Sequence, residues 1–177
     1  LGAIVLNPSM DAVLMVLPYG RKQASWQFPR GKLNAEETHE HAAAREVMEE
    51  CGVDVSHLIR QDRFIERVID GTVHKLFIVY PLSESVTLAT RTKKEIEEIR
   101  WLRVADLPKS SKSVDAKKYF AVAPFVPALR SWIRSKSTPD DEAFVEGEEV
   151  PAGRADAVNQ DTFGSEAGGW SFEAMLK

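Results

Sequence analysis

The stretch that most constrains this 177-residue chain runs from Gly31 to Val53, GKLNAEETHEHAAAREVMEECGV. Ala43, Val47 and Cys51 recur four apart behind a polar cap at Thr38 or His39, and Gly52 follows as a terminator. That spacing predicts one helix ending at Cys51. Glu46, Glu49 and Glu50 then stand three and four positions apart and share a helical face. Like charges at this spacing repel by a few tenths of a kcal/mol per pair on an exposed helix. A hard divalent cation such as Mg²⁺ takes carboxylate and phosphate oxygens and offsets the repulsion. A carboxylate cluster beside a Gly-containing loop is therefore the pattern of a metal-dependent phosphate site. For an isolated E-x-x-E-E, a plain solvated acidic face is the better reading.

The flanks supply strands. GAIVLN (2–7) and DAVLMVLPY (11–19) are apolar and β-branched around an Asn-Pro-Ser-Met turn. Residues 25–29 read as a short strand stopped by Pro29, and 63–69 and 73–80 as a hairpin about Asp70-Gly71. IRWLRV (99–104) is a further strand, and a final helix is expected from about Asp115 to Lys136. An α/β fold follows, a mixed sheet sandwiched between helices.

Charge divides the chain. Residues 1–136 hold 21 Lys/Arg against 17 Asp/Glu, and residues 137–177 hold 2 against 10, so a domain of net +4 carries a tail of −8. The basic part suits a polyanion and the tail does not. The tail is poor in periodic apolar residues, and disorder is the default expectation for it. It ends in Trp170, Phe172, Met175 and Leu176, a short docking-like motif for a protein partner or a groove of this domain. The acidic stretch before that motif could cover the basic face and inhibit. One cysteine, Cys51, excludes an internal disulfide framework and reads as core. No apolar run has the length of a membrane span. His39 and His41 read as exposed polar residues, and His57 and His74 as standing alone.

Gly31, Glu37, Arg45, Glu46, Val47, Glu49, Glu50, Gly52 and Val53 together fit the signature G-x5-E-x7-R-E-U-x-E-E-x-G-U, where U is a bulky aliphatic residue. A chance match is on the order of one in a billion per position at ordinary residue frequencies. On these residues the chain resembles the Nudix hydrolases. The resemblance implies Mg²⁺ or Mn²⁺ as cofactor and attack of water on a diphosphate linkage. It implies Glu46, Glu49 and Glu50 as metal ligands, with a backbone carbonyl near Arg30 and Gly31 as another. Glu37 would pair with Arg45 and hold the loop to the helix.

Five stretches, the helix among them, resemble the catalytic subunits of mRNA-decapping enzymes. They are residues 1–34 with Trp26-Gln27-Phe28-Pro29-Arg30-Gly31-Lys32, the helix itself, HKLFIVYPLSES, RTKKEIEEIRWLRVADLP, and YFAVAPFVPALRSWI. This second resemblance implies cap hydrolysis, releasing 7-methylguanosine diphosphate and 5′-monophosphate RNA. Glu50 and Glu95 would be the catalytic carboxylates, Glu95 as general base on a loop, the alternative being a surface loop without a role. Arg30 and Lys32 would meet the phosphate chain. Lys112, Lys117, Lys118, Arg130 and Arg134 would guide the RNA body, with Tyr119, Phe120, Phe125, Leu129 and Trp132 on the core side. An amphipathic helix with a basic solvated face is the plain alternative.

Two rival functions stay open: a Nudix pyrophosphatase for dinucleoside polyphosphates, diphosphoinositol phosphates or 5′-triphosphate RNA, and a non-catalytic RNA-binding subunit of the same fold. Decapping enzymes carry an N-terminal regulatory domain that binds an activator. This sequence lacks that region, reads as truncated at Leu1, and is not expected to bind the activator. A cytoplasmic setting is expected, with an organelle still open.

Overall fold

Alternation of side chains along the first two strands sets the architecture. The computed structural model describes residues 1–20, 25–109 and 114–137. β1 (Gly2–Val5) and β2 (Ala12–Pro18) are buried along almost their whole length, as expected for strands covered on both faces. Asn7 pins the turn between them. Its side-chain oxygen accepts the Asp11 and Ala12 N–H groups at 3.0 Å each, and its amide nitrogen reaches the Asp11 and Glu84 carboxylates at 2.7 Å each.

α1 (His39–Cys51) starts where the Thr38 hydroxyl accepts the His41 N–H at 3.2 Å, an N-cap. It stops at Gly52, whose φ of 77° is left-handed and whose N–H donates to the Met48 carbonyl at 3.0 Å. β3 (Phe64–Ile69) and β4 (Thr72–Val79) form the expected hairpin, with positive φ at both Asp70 and Gly71. β5 (Ile96–Arg103) starts earlier than its apolar run suggested, because Glu98 pairs with Leu17 and Ile96 with Pro18, which extends the ladder with β2.

Among the described residues, one sheet has the order β1-β4-β3, with β1 parallel to β4 and β3 antiparallel to it, and a second pairs β2 with β5 antiparallel. A bridge from Leu6 to Val13 joins them. Ala3, Val5, Leu14, Val16, Phe77 and Val79 cluster with Ala43, Val47 and Cys51 of α1. Their sequence neighbours Ile4, Leu6, Val13, Met15, Leu76 and Ile78 cluster with Val126 and Leu129 of the last helix, α2 (Val126–Ser137). The strands thus feed two apolar layers, one per helix, in an α/β sandwich. No helix of the described residues is long and apolar enough to cross a membrane.

Three expectations are corrected. Residues 25–29 form no strand of their own. Gln27 bridges to Val16 and Arg30 to Gly2, and the Pro29 carbonyl accepts the Ala3 N–H at 3.0 Å. The segment is a strap that lays Arg30 and Gly31 against the start of β1. The final helix is shorter than expected: Val114–Tyr119 is a 3₁₀ turn, and α2 begins only at Val126. Pro124 disfavours helical backbone just before it, and Pro127 is tolerated in a first turn. Phe120, expected on the core side, is 55% exposed on the intervening turn, whereas Phe125 and Leu129 are fully buried. Lys112 and the whole tail motif from Trp170 to Leu176 lie outside the described residues.

Candidate active site

The C-terminal half of α1 faces the strap, and their meeting line is built on a missing side chain. A Cβ on Gly31 would collide with the Glu46 carboxylate, so glycine there is what lets the strap close over the helix. Glu46 and Glu50 are 7% and 8% exposed, and with Asn7 they are the buried polar residues among those described. The Glu50 carboxylate accepts the Arg30 backbone N–H at 3.1 Å. Two carboxylates are thereby held under cover within one helical turn.

Arg45 organises the other side. Its Nε and Nη2 donate to the two oxygens of Glu37 at 2.9 and 3.1 Å, and Nη2 also donates to the Lys32 carbonyl at 2.8 Å. This fork ties the loop before the helix to the helix itself. Nη1 lies between Glu46 and Glu49, at 2.8 and 3.1 Å. Glu37, first among its neighbours, holds Arg45 protonated, and Arg45 in turn draws the Glu37 carboxyl below its ordinary value.

Glu95 enters the same place from the opposite wall. It precedes β5, and its carbonyl accepts the Tyr19 N–H at 2.8 Å. The stretch before it is tied to the end of α1, where Arg91 N–H donates to the Glu49 carbonyl at 2.8 Å and Ala89 N–H to the Cys51 carbonyl at 3.0 Å. Glu46, Glu49, Glu50 and Glu95 line one cleft of about 610 Å³ with Arg30, Gly31, Lys32, Lys94 and Tyr19. Burial pushes the Glu50 carboxyl up to about 8, and the charges of Glu46 and Glu95 act in the same direction. Glu46 is raised too, by burial first, against the pull of Arg45.

Among the described residues, no three acidic, His or Cys side chains close round a single point. Arg45 Nη1 occupies the space between Glu46 and Glu49 instead. The donor set nevertheless fits a hard divalent cation: carboxylate oxygens held under cover, two of them in carboxyls raised by burial, and two cations, Lys32 and Lys94, on the walls for phosphate. The Gly31 carbonyl, expected as a further ligand, accepts an N–H from Leu1 at 2.8 Å, and a carbonyl oxygen has a second lone pair with which to meet a cation. Gly31 also gives the cleft clearance.

Other expected site residues are less uniform. Lys117, Lys118 and Arg134 are exposed. Arg130 has a structural engagement that the sequence did not suggest: its Nη2 donates to the Val104 and Leu107 carbonyls at 2.9 Å each and to the Ala105 carbonyl at 3.3 Å. It clamps α2 to the turn after β5. His74 does not stand alone either, since its Nδ1 lies 2.8 Å from Arg30 Nη1. Burial, then the Arg30 charge, lowers its pKa, which leaves a neutral ring to accept that N–H. Sequence reasoning missed Tyr19 and Lys94 as cleft residues. Lys94 has φ of 57°, left-handed for a non-glycine residue, and only its adjacency to Glu95 hinted at a role.

The NUDIX domain profile matches residues 1–123, and the chain belongs to the Nudix family. It is 40% identical over 143 residues to mRNA-decapping enzyme subunit 2 of Arabidopsis thaliana, covering 78% of this chain and 38% of that protein. To mRNA decapping complex subunit 2 of Schizosaccharomyces pombe it is 34% identical over 139 residues, 77% of this chain and 19% of that protein. The chain therefore spans well under half the length of these relatives. A solved Caenorhabditis elegans Ap4A hydrolase binary complex shares the fold, with a TM-score of 0.60, 14% identity, and coverage of 76% of this chain and 97% of that one.

Proposed function

We propose that the chain hydrolyses the 5′ cap of mRNA, with water adding to a phosphorus of the triphosphate bridge, to release 7-methylguanosine diphosphate and RNA bearing a 5′-monophosphate. The observation that carries this is the convergence of Glu46, Glu49, Glu50 and Glu95 with Lys32 and Lys94 in one cleft. The naming of the decapping relatives supplies the substrate. Glu46, Glu49 and Glu50 would hold Mg²⁺ or Mn²⁺. Such an ion neutralises charge on the phosphate chain and makes water a better nucleophile.

The remaining work belongs to the chain. Arg45, fixed by Glu37, keeps the carboxylate face in register with the strap. Lys32 and Lys94 draw in the phosphates. Glu95, exposed and anchored through its backbone to Tyr19, takes the proton of the attacking water. Lys117, Lys118 and Arg134 would bear on the RNA body as sequence-independent phosphate contacts. Arg130 is left out of that group because its Nη2 is engaged with backbone carbonyls of the turn after β5.

The test is product identification. With Mg²⁺ or Mn²⁺, cap-labelled RNA should yield labelled 7-methylguanosine diphosphate. Preferential release of pyrophosphate from triphosphate RNA, or preferential cleavage of free cap dinucleotide, would sink the decapping reading while leaving a Nudix pyrophosphatase.

A further inference from the structure

Of the described residues lining the carboxylate cleft, Tyr19 is the one aromatic. It follows Pro18 at the end of β2, where the pairing with β5 slips between Leu17 and Pro18. A bulge of this kind ends regular alternation and re-aims the next side chain. Gly20 follows with a left-handed φ of 74°. The Tyr19 side chain is left 55% exposed, although the strand that carries it is otherwise almost wholly buried. Its backbone is not loose, because the Tyr19 N–H donates to the Glu95 carbonyl at 2.8 Å. An aromatic held at its backbone thus borders a cleft whose walls carry Lys32, Lys94 and Arg30.

We propose that the Tyr19 ring is the platform on which the nucleobase of the bound nucleotide stacks while its phosphates enter the carboxylate cleft. This rests on reading that cleft as a diphosphate-cleaving site. Cations and carboxylates recognise only the phosphate chain, which every diphosphate shares. A planar apolar surface beside them adds recognition of the base, and it does so without hydrogen-bond readout, since every base has a π-face. The same residue ties the base to the chemistry. Because the Tyr19 N–H carries the Glu95 carbonyl, a base seated on Tyr19 settles the strand end against which the Glu95 loop is hung.

Binding to the 177-residue chain in Mg²⁺ separates these contributions. The two probes are guanosine 5′-(α,β-methylene)diphosphate and the baseless methylenediphosphonate, neither of which can be hydrolysed at its bridge. Tyr19→Ala should weaken the nucleoside analogue on the order of tenfold, the usual size of a base-stacking loss, and leave methylenediphosphonate unchanged. Tyr19→Phe and Tyr19→Trp should keep wild-type affinity, since stacking needs the ring and not the hydroxyl. Equal affinity of Tyr19→Ala and wild type for the nucleoside analogue would overturn the proposal, as would an equal loss for both probes. Binding of neither probe to the wild-type chain would overturn the reading of the cleft, and the proposal with it.

Discussion

Gly31 and Glu46 show how a single residue sets the site. Gly31→Ala would drive a methyl group into the Glu46 carboxylate, so metal affinity should fall more than folding stability does. Calorimetric Mg²⁺ titration beside urea unfolding would measure both. Glu50 gives a pH prediction. Its carboxyl is raised to about 8 by burial, so in the metal-free protein its contribution to stability is full below the ordinary carboxylate range and is lost as pH rises through about 8. A cation needs the ionised form, so binding must displace a proton there. Mg²⁺ affinity should therefore climb with pH up to about 8, with proton uptake by the buffer, measured by titration in buffers of different ionisation enthalpy. Affinity independent of pH from 6 to 8 would contradict this. The three helix glutamates were legible because their spacing is local. The roles of Arg130 and His74 were not, because the groups they meet lie 23–26 and 44 positions away in sequence.

At the scale of elements, caps and prolines decide where helices begin and end. α1 runs as its cap and Gly52 dictate, and a side chain at Gly52 would both strain a left-handed φ and meet the Ala89 carbonyl. Gly52→Ala should cost at least about 1–2 kcal/mol from backbone conformation alone, seen as a lower urea midpoint. The expected final helix is too long because its apolar and basic residues suggest continuity across Pro124, which lies between the 3₁₀ turn and α2, while Pro127 sits in the first turn of α2. Its basic residues divide accordingly. Arg130→Ala would leave the Val104 and Leu107 carbonyls without their donor and should destabilise by about 1–3 kcal/mol. Arg134→Ala should leave stability unchanged and lower RNA affinity together with its salt dependence. Equal stability of the two variants would contradict the clamp.

For the whole domain, the fold class could be read from apolar runs and one patterned helix, since strands buried on both faces demand a helix on each side. Packing of Ile4 with α2 and of Ala3 and Val5 with α1 is that demand met. The cleft was only half legible. The helix and the strap are adjacent in sequence, whereas Glu95 and Tyr19 arrive through the β2–β5 ladder, which pairs positions 78–91 apart. The central claim is that the helix carboxylates and Glu95 act together on a capped RNA. Single-turnover decapping of cap-labelled RNA as a function of Mg²⁺, for the wild type, Glu50→Gln and Glu95→Gln, tests it most directly. Glu50→Gln should raise the Mg²⁺ requirement and lower the maximal rate. Glu95→Gln should lower the maximal rate by roughly 10²–10⁴-fold, the size of a general-base contribution, at an unchanged Mg²⁺ midpoint. Wild-type rates and midpoints in both variants would contradict the account.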